Sequence, residues 1–375
     1  MHRSIITLIF IGFLFLIKSN VHAQNKKSTL EVELEQLANI NLLPRYRDLT
    51  TVAMESSYDT TGGNDDGFSG RYSYIRKESP RRLVIADLEG PGVIQRIWTP
   101  TPTEDTIQFY FDGEENPRIS IRFIDLFSSN VFPFKSPLVG NEVGGYYCYL
   151  PITYEKSCKI VYLGDRIQFH QIQHRTFPGN SSVKSFSPNL TVEEKTALHN
   201  TLERWEEYDP LESIDENNLK IIEKELLVKA GETVNLADIN EGGRIVRMEF
   251  QGLSAIDDPD TPLILKAKWD DDENYAINAP MKHLFGYAFR KTPMRSMLIG
   301  AEANLHYINF PMPFDKSAVL ELSYLNKEGQ SQPDVRFTSR IFILPDNRDT
   351  SNEGKFYSCW RRENPQIGTP YTIFD

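Results

Sequence analysis

Gly92-Val-Ile-Gln-Arg-Ile-Trp98 is followed by Asp112-Gly-Glu-Glu-Asn-Pro-Arg-Ile119, Asp125-Leu-Phe127, Tyr146-Tyr-Cys-Tyr-Leu-Pro151 and Lys156-Ser157. The same punctuation returns further along the chain. It reads Gly243-Arg-Ile-Val-Arg-Met248, Asp270-Asp-Asp-Glu-Asn-Tyr-Ala-Ile277, His283-Leu-Phe285, Tyr307-Ile-Asn-Phe-Pro311 and Lys316-Ser317. Ile167-Gln-Phe169 has its echo in Val335-Arg-Phe337. Order and spacing are kept while most side chains differ, which marks one structural unit used twice. With only two copies, the repeat predicts paired domains and no solenoid.

Within each copy the residues alternate in short β-branched and aromatic runs broken by Gly, Pro, Asp and Asn. The first copy offers 82–86, 93–98, 107–111, 119–123, 146–150 and 158–163 as strands; the second offers 244–250, 263–269, 305–310, 319–324 and 335–344. Many short strands at this spacing predict a mainly β protein of two jelly-roll-like β-sandwich modules. Between them the period changes. Thr191 and Glu194 form a capping box, and Val192, Ala197, Leu198, Leu202 and Trp205 recur at helical spacing, so a helical linker joins the modules and Trp205 anchors its apolar stripe. The charged stretch from Glu206 to Lys224 reads as a solvated face. A short helix over Leu30 to Ala38, closed by Pro44, precedes the first module. The expected organisation is a signal peptide over 1–23, a helical segment over 24–50, modules over 51–187 and 229–347, the linker over 188–228 and a C-terminal segment over 348–375.

His2 and Arg3 precede an apolar run from Ile5 to Ile17, and Val21-His22-Ala23 has the small-x-small pattern of a cleavage site. The run is short for a membrane span, so secretion to the periplasm or cell exterior with cleavage after Ala23 is expected. With 52 acidic against 41 basic residues and a net charge of −11, nucleic acid and anionic membranes are repelled. Neutral glycans or small polar ligands fit that charge. Cys148, Cys158 and Cys359 are too few for a disulfide scaffold, and buried free thiols are expected of the first two. No Cys/His cluster has zinc spacing, and neither a nucleophile elbow nor a phosphate loop occurs. No cofactor is expected.

The richest polar constellation is Ser56-Ser-Tyr-Asp59-Thr-Thr-Gly-Gly-Asn64-Asp65-Asp66-Gly67. Its glycines allow tight turns that converge Asp59, Asn64, Asp65 and Asp66, a set suited to sugar hydroxyls or Ca²⁺, or equally to an Asx-rich surface turn. Trp98 and the run Tyr146-Tyr147-Cys148-Tyr149 offer a sugar-stacking wall, although alternation sends half of such a run into the core. Asp112-Gly113 and Asp270-Asp271 sit between strands and read as hairpin turns. Arg96 and Arg247 hold equivalent strand positions, which suggests a shared structural role. His170 and His174 read as packed or surface histidines and not as metal ligands. Glycosidase chemistry needs two flanking carboxyl groups, and sequence spacing selects no such pair, so no catalytic residue is assigned.

Ser57-Tyr-Asp-Thr-Thr-Gly-Gly-Asn-Asp-Asp-Gly67, Glu89-Gly-Pro-Gly-Val-Ile-Gln-Arg-Ile-Trp98, Phe111-Asp-Gly-Glu114 and Asn309-Phe-Pro-Met-Pro-Phe314 together resemble the domain of unknown function 2961 family, some members of which are classified as glycoside hydrolase family 172. The resemblance covers most of the chain after the leader. It implies secreted bacterial proteins of paired jelly rolls that assemble as trimers or higher multiples and act on fructofuranosyl or arabinofuranosyl linkages by a retaining mechanism with two glutamates. The family motifs that hold those glutamates, Glu-Gly-Asp-Glu and Gly-Thr-Glu-Asp-Tyr-Phe, do not occur here. Thr103-Glu104-Asp105 lacks the following Tyr-Phe and receives no role. Phe356-Tyr-Ser-Cys-Trp-Arg-Arg-Glu-Asn-Pro365 resembles a stretch that in the family runs on into a catalytic jelly roll, so a truncated gene product, a fragment or one half of a split coding region is expected. The functional expectation is a hydrolase relative whose intact form cleaves furanosides; the alternative is a non-catalytic carbohydrate-binding or oligomer-forming protein.

Overall fold

The computed structural model describes residues 28–373 apart from 48, 213, 254–255, 257–260, 288–292, 303 and 370. The leader expected over 1–23 lies outside the described residues. Helix α1 (Leu30–Ala38) opens the fold, at the bounds its apolar spacing predicts. Strands β1 (Thr51–Ser56), β2 (Arg76–Ser79), β3 (Arg82–Glu89), β4 (Gly92–Thr99), β5 (Thr106–Phe111) and β6 (Ile119–Arg122) follow. β7 (Val139–Glu142), β8 (Gly145–Cys148), β9 (Ile152–Tyr154), β10 (Ser157–Leu163) and β11 (Gln171–Thr176) complete the first module. Helix α2 (Val192–Glu206) starts at a capping box in which Thr191 and Glu194 satisfy each other's backbone.

The second module begins with β12 (Lys220–Val228), β13 (Thr233–Ile239), β14 (Gly243–Gln251), β15 (Leu263–Trp269) and β16 (Ile277–Pro280). It continues through α3 (Met281–Leu284), β17 (Met294–Arg295), β18 (Ile299–Glu302) and β19 (Leu305–Ile308), and closes with β20 (Met312–Phe314), β21 (Ala318–Tyr324) and β22 (Val335–Leu344). Part of the charged stretch read as a solvated face of the linker is thus strand β12. Its Lys and Glu residues disguise an edge strand that pairs along its whole length with β22.

The sheets repeat as the sequence does. The larger sheet of the first module runs β1-β11-β4-β8-β7 and that of the second β12-β22-β14-β19-β18-β17; the smaller ones run β2-β3-β10-β5-β6 and β13-β21-β15-β16. All the pairings between these strands are antiparallel, and each module closes over its own core. One core is built on Phe109, Phe111, Tyr154 and Tyr162, the other on Trp269, Phe250, Phe314 and Tyr324. Mainly β architecture in two sandwich modules is therefore the fold. Cys148 and Cys158 are buried free thiols, and burial pushes the Cys148 thiol up to about 12.

The repeated Asp turn has one mechanism in both modules. Asp112 and Asp270 take left-handed backbone at φ 54° and 56°. Their carboxylates accept from the backbone of the repeated Lys-Ser pair: Asp112 from Lys156 N at 2.7 Å, Asp270 from Lys316 N at 2.5 Å and Ser317 N at 3.1 Å. Burial alone would raise the Asp270 carboxyl, but the Lys355 ammonium at 2.5 Å and these N–H donors outweigh it and hold it at about 2 against an ordinary 3.8. A depressed carboxyl stabilises the fold above the unfolded value and loses that contribution as pH falls through the folded one. We expect Asp270→Asn to destabilise the protein by about 2 kcal/mol at pH 7, from the size of that gap, and by much less near pH 2. Urea unfolding across pH 2–7 measures the difference; a pH-independent deficit would contradict it.

Candidate functional site

The larger sheet of the first module turns Ile97, Ile172 and Cys148 inward to the core. Alternation therefore turns Arg96, Trp98, Gln171 and Tyr147 outward. The register places Ser56 opposite Gln171, Gln171 opposite Trp98, Trp98 opposite Tyr147, and Tyr147 opposite Gly140, so these five residues form one row across the sheet. All but the glycine are polar or aromatic, and Ser56, Gln171, Trp98 and Tyr147 are half-buried.

Two glycines let the aromatic rings lie down. A Cβ on Gly145 would stand 2.6 Å from Trp98 Nε1, and one on Gly140 would stand 2.7 Å from the Tyr147 hydroxyl. The rings thus occupy the space a side chain would fill and lie along the sheet as a shelf. Arg96 extends its guanidinium over the Trp98 ring, 5.9 Å from the centroid, and donates from Nη1 to Gln171 Oε1 at 3.0 Å. Burial, with Glu142 and Tyr149 nearby, raises the Tyr147 hydroxyl above the ordinary tyrosine range, so it stays protonated and able to donate at neutral pH. Flat, partly exposed aromatic faces flanked by amide, hydroxyl and guanidinium groups suit the apolar faces and hydroxyl rims of sugars.

The loop after β1 stands at the same end of this sheet. Ser57 N donates to His170 O and His170 N to Ser57 Oγ, which pins the loop beside the start of β11. Within it, Asp59 Oδ1 accepts from Thr61 N at 2.9 Å and Thr61 Oγ1 at 2.6 Å, and Asp59 Oδ2 from Asp65 N at 3.3 Å. The Thr61 bonds hold the Asp59 carboxyl below the ordinary range. Asp66 Oδ1 accepts from Asp59 N at 2.8 Å, and Asp65 accepts from Ser69 N at 2.7 Å. A Cβ on Gly63 would lie 2.3 Å from Asp59 Oδ2, so a side chain there would displace that carboxylate. Asp59, Asp65 and Asp66 are thus engaged in building the loop, while Asn64 is exposed. Among the described residues no group of three or more His, Cys, Asp or Glu is placed to hold a metal ion, and no hydrogen bond joins the loop to Trp98.

Of the residues singled out from sequence, Trp98 and Tyr147 come together on the shelf, whereas Asp59, Asn64, Asp65 and Asp66 form a separate polar rim. Gly140, Gly145 and Gln171 carry the shelf as much as the rings do, and were missed. The available signal was the register: glycines facing aromatic residues across a hairpin. His170 and His174 are buried beneath the sheet, and burial pushes His170 down to about 4, so it is neutral at physiological pH. Trp205 anchors α2, donating to Leu37 O at 3.1 Å and packing on Tyr149. A cleft of about 830 Å³ lies elsewhere, between α1 and α2, and six glutamates, Glu31, Glu35, Glu203, Glu206, Glu207 and Glu212, line it.

Comparison with known proteins follows the two modules. The family model described as GH172 first beta-sandwich domain matches residues 48–194, and that described as GH172 domain-like matches residues 218–337. No curated protein matches the chain. Among solved structures, the chain is similar to the major capsid protein P2 of bacteriophage PM2, at 8% identity and TM-score 0.22, covering 78% of this chain and 97% of that one. It is also similar to the STIV MCP, at 11% identity and TM-score 0.21, with the same coverage. No described helix is long and apolar enough to cross a membrane.

Proposed function

The chain belongs to the GH172-like family, and from this we propose that it is a secreted glycoside hydrolase-like protein that holds a furanosidic glycan, fructofuranosyl or arabinofuranosyl, on the outer face of its first module. Self-association as a trimer or a multiple of one is part of the same proposal. The observation that carries it is the shelf: Trp98 and Tyr147 lie flat over Gly145 and Gly140 with Gln171 and Arg96 beside them. Sugar rings stack on such faces by burying their C–H edges while amide and hydroxyl groups take the hydroxyls. The Asp59 to Asp66 loop forms the rim at the end of the shelf where a longer glycan would pass.

The engagement of Asp59, Asp65 and Asp66 by loop N–H and hydroxyl donors supports a second reading, recognition without turnover, because none of these carboxylates is poised as a general acid. Calorimetric titration with arabinofuranosyl and fructofuranosyl oligosaccharides, run beside an assay on aryl furanosides, tests both. Saturable binding is expected in either case. Release of the aryl alcohol selects the hydrolase reading, binding alone selects recognition, and no binding to either sugar class overturns the proposal.

A further inference from the structure

The two modules place an arginine at the same point of the same strand and treat it differently. Arg247 on β14 donates from Nε to Glu249 Oε1 at 2.6 Å and from Nη1 to Asn309 Oδ1 at 3.3 Å, and its guanidinium lies 5.0 Å from the centroid of Tyr307. Tyr307 lies over Gly300 as Tyr147 lies over Gly140. The second module therefore repeats the shelf, with one substitution. Glu249 faces Tyr307 in the register where Trp98 faces Tyr147, and each stands two residues beyond its arginine.

The consequence is electrostatic. Arg247 is neutralised by a carboxylate from its own strand, which Arg340 also binds at 3.1 Å. Arg96 has its carboxylate position occupied by an indole. Its hydrogen bond goes to the neutral Gln171, and among the described residues no carboxylate lies within ion-pair distance of it. A half-buried guanidinium pays part of its hydration without recovering it from a counter-charge. In a chain with a net charge of −11 this does not come from a shortage of acids.

We infer that Arg96 reads an anionic substituent on the glycan, a uronate carboxylate: a uronic acid stacked on Trp98 would bring its carboxylate to Arg96 much as Glu249 brings its own to Arg247. The planar guanidinium fork favours a carboxylate taken through two N–H groups. Glu142, exposed beyond Tyr147, repels the same group and so orients the sugar acid toward Arg96. The inference rests on the shelf as the glycan face and adds the class of sugar.

Titration of the full chain with three probes of equal length, a neutral arabinofuranosyl oligosaccharide, an oligogalacturonide and a sulfated neutral oligosaccharide, tests it at low salt and again at about 150 mM. The oligogalacturonide is expected to bind about tenfold more tightly than the neutral probe, the size of one charge-assisted hydrogen bond. Arg96→Gln should abolish that advantage, bringing the affinity for the oligogalacturonide down to that for the neutral probe, and Arg96→Lys should lose most of it by keeping charge without the fork. Equal affinities for neutral and uronate probes, with no effect of Arg96→Gln, overturn the inference while leaving the shelf intact. A preference for the sulfated probe overturns the carboxylate assignment. Failure of all three probes to bind removes the shelf reading itself.

Discussion

Glu33→Ala is expected to lower the free energy of unfolding by about 3–5 kcal/mol, the cost of breaking a buried ion pair from one side. Glu33 on α1 receives Arg175 Nη2 on both carboxylate oxygens, at 2.9 and 2.7 Å, and Ser28 Oγ at 2.8 Å. Both side chains are about 5% exposed. Truncation leaves the Arg175 guanidinium buried against the Phe177 ring with Gln36 Oε1 at 3.5 Å, and with the Arg47 charge close by. Helix α1 would then loosen from the sheet, and Leu30 and Leu34 would lose their place in the first core. The asymmetry of buried pairs supplies a control. Glu33→Leu combined with Arg175→Met should recover much of the loss, because no charge remains buried. Urea unfolding of the two variants measures both; a deficit under about 1 kcal/mol for Glu33→Ala would show that the pair is solvated in solution.

Trp98→Ala is expected to weaken glycan binding about 30-fold or more, the effect of removing a central aromatic anchor worth about 2 kcal/mol. The ring is half-buried on the outer face, so the fold should lose little. Gly145→Val makes the sharper variant. It keeps the tryptophan but places a side chain where Trp98 Nε1 now lies, and it should lift the ring and cost affinity to a similar degree. Trp98→Phe should retain a substantial part of the binding. If Gly145→Val binds like the parent chain, the flat ring is not what the sugar uses.

Much of the fold was legible because it was written twice. The capping box at Thr191, the bounds of α1, and the Asp turns before Ile119 and Ile277 each have a local physical cause that the chain states locally. Strand β12 was hidden because an exposed edge strand alternates charged and apolar residues as a solvated face does. The site was only half legible for a different reason. Trp98 and the tyrosine run are visible as aromatic residues, but whether a ring stands up or lies down depends on the residue opposite it. Gly140 and Gly145 become neighbours of Tyr147 and Trp98 only once the register of β7, β8 and β4 is known. The polar loop read equally as ligand groups or as an Asx-rich turn, and composition could not choose, because the intraloop bonds of Asp59, Asp65 and Asp66 to backbone N–H and hydroxyl groups appear only in three dimensions. Arg96 and Arg247 looked alike in sequence, and only the side chains beside them separate a paired charge from an unpaired one.

The central claim is that a glycan lies on the Trp98 and Tyr147 rings. Soaking crystals of the protein with an arabinofuranosyl oligosaccharide and refining the bound sugar tests it most directly. The account predicts a sugar ring stacked about 4 Å above Trp98, with hydroxyls on Gln171 and the Tyr147 hydroxyl. Sugar density in the glutamate-lined cleft between α1 and α2, with the shelf bare, would contradict it.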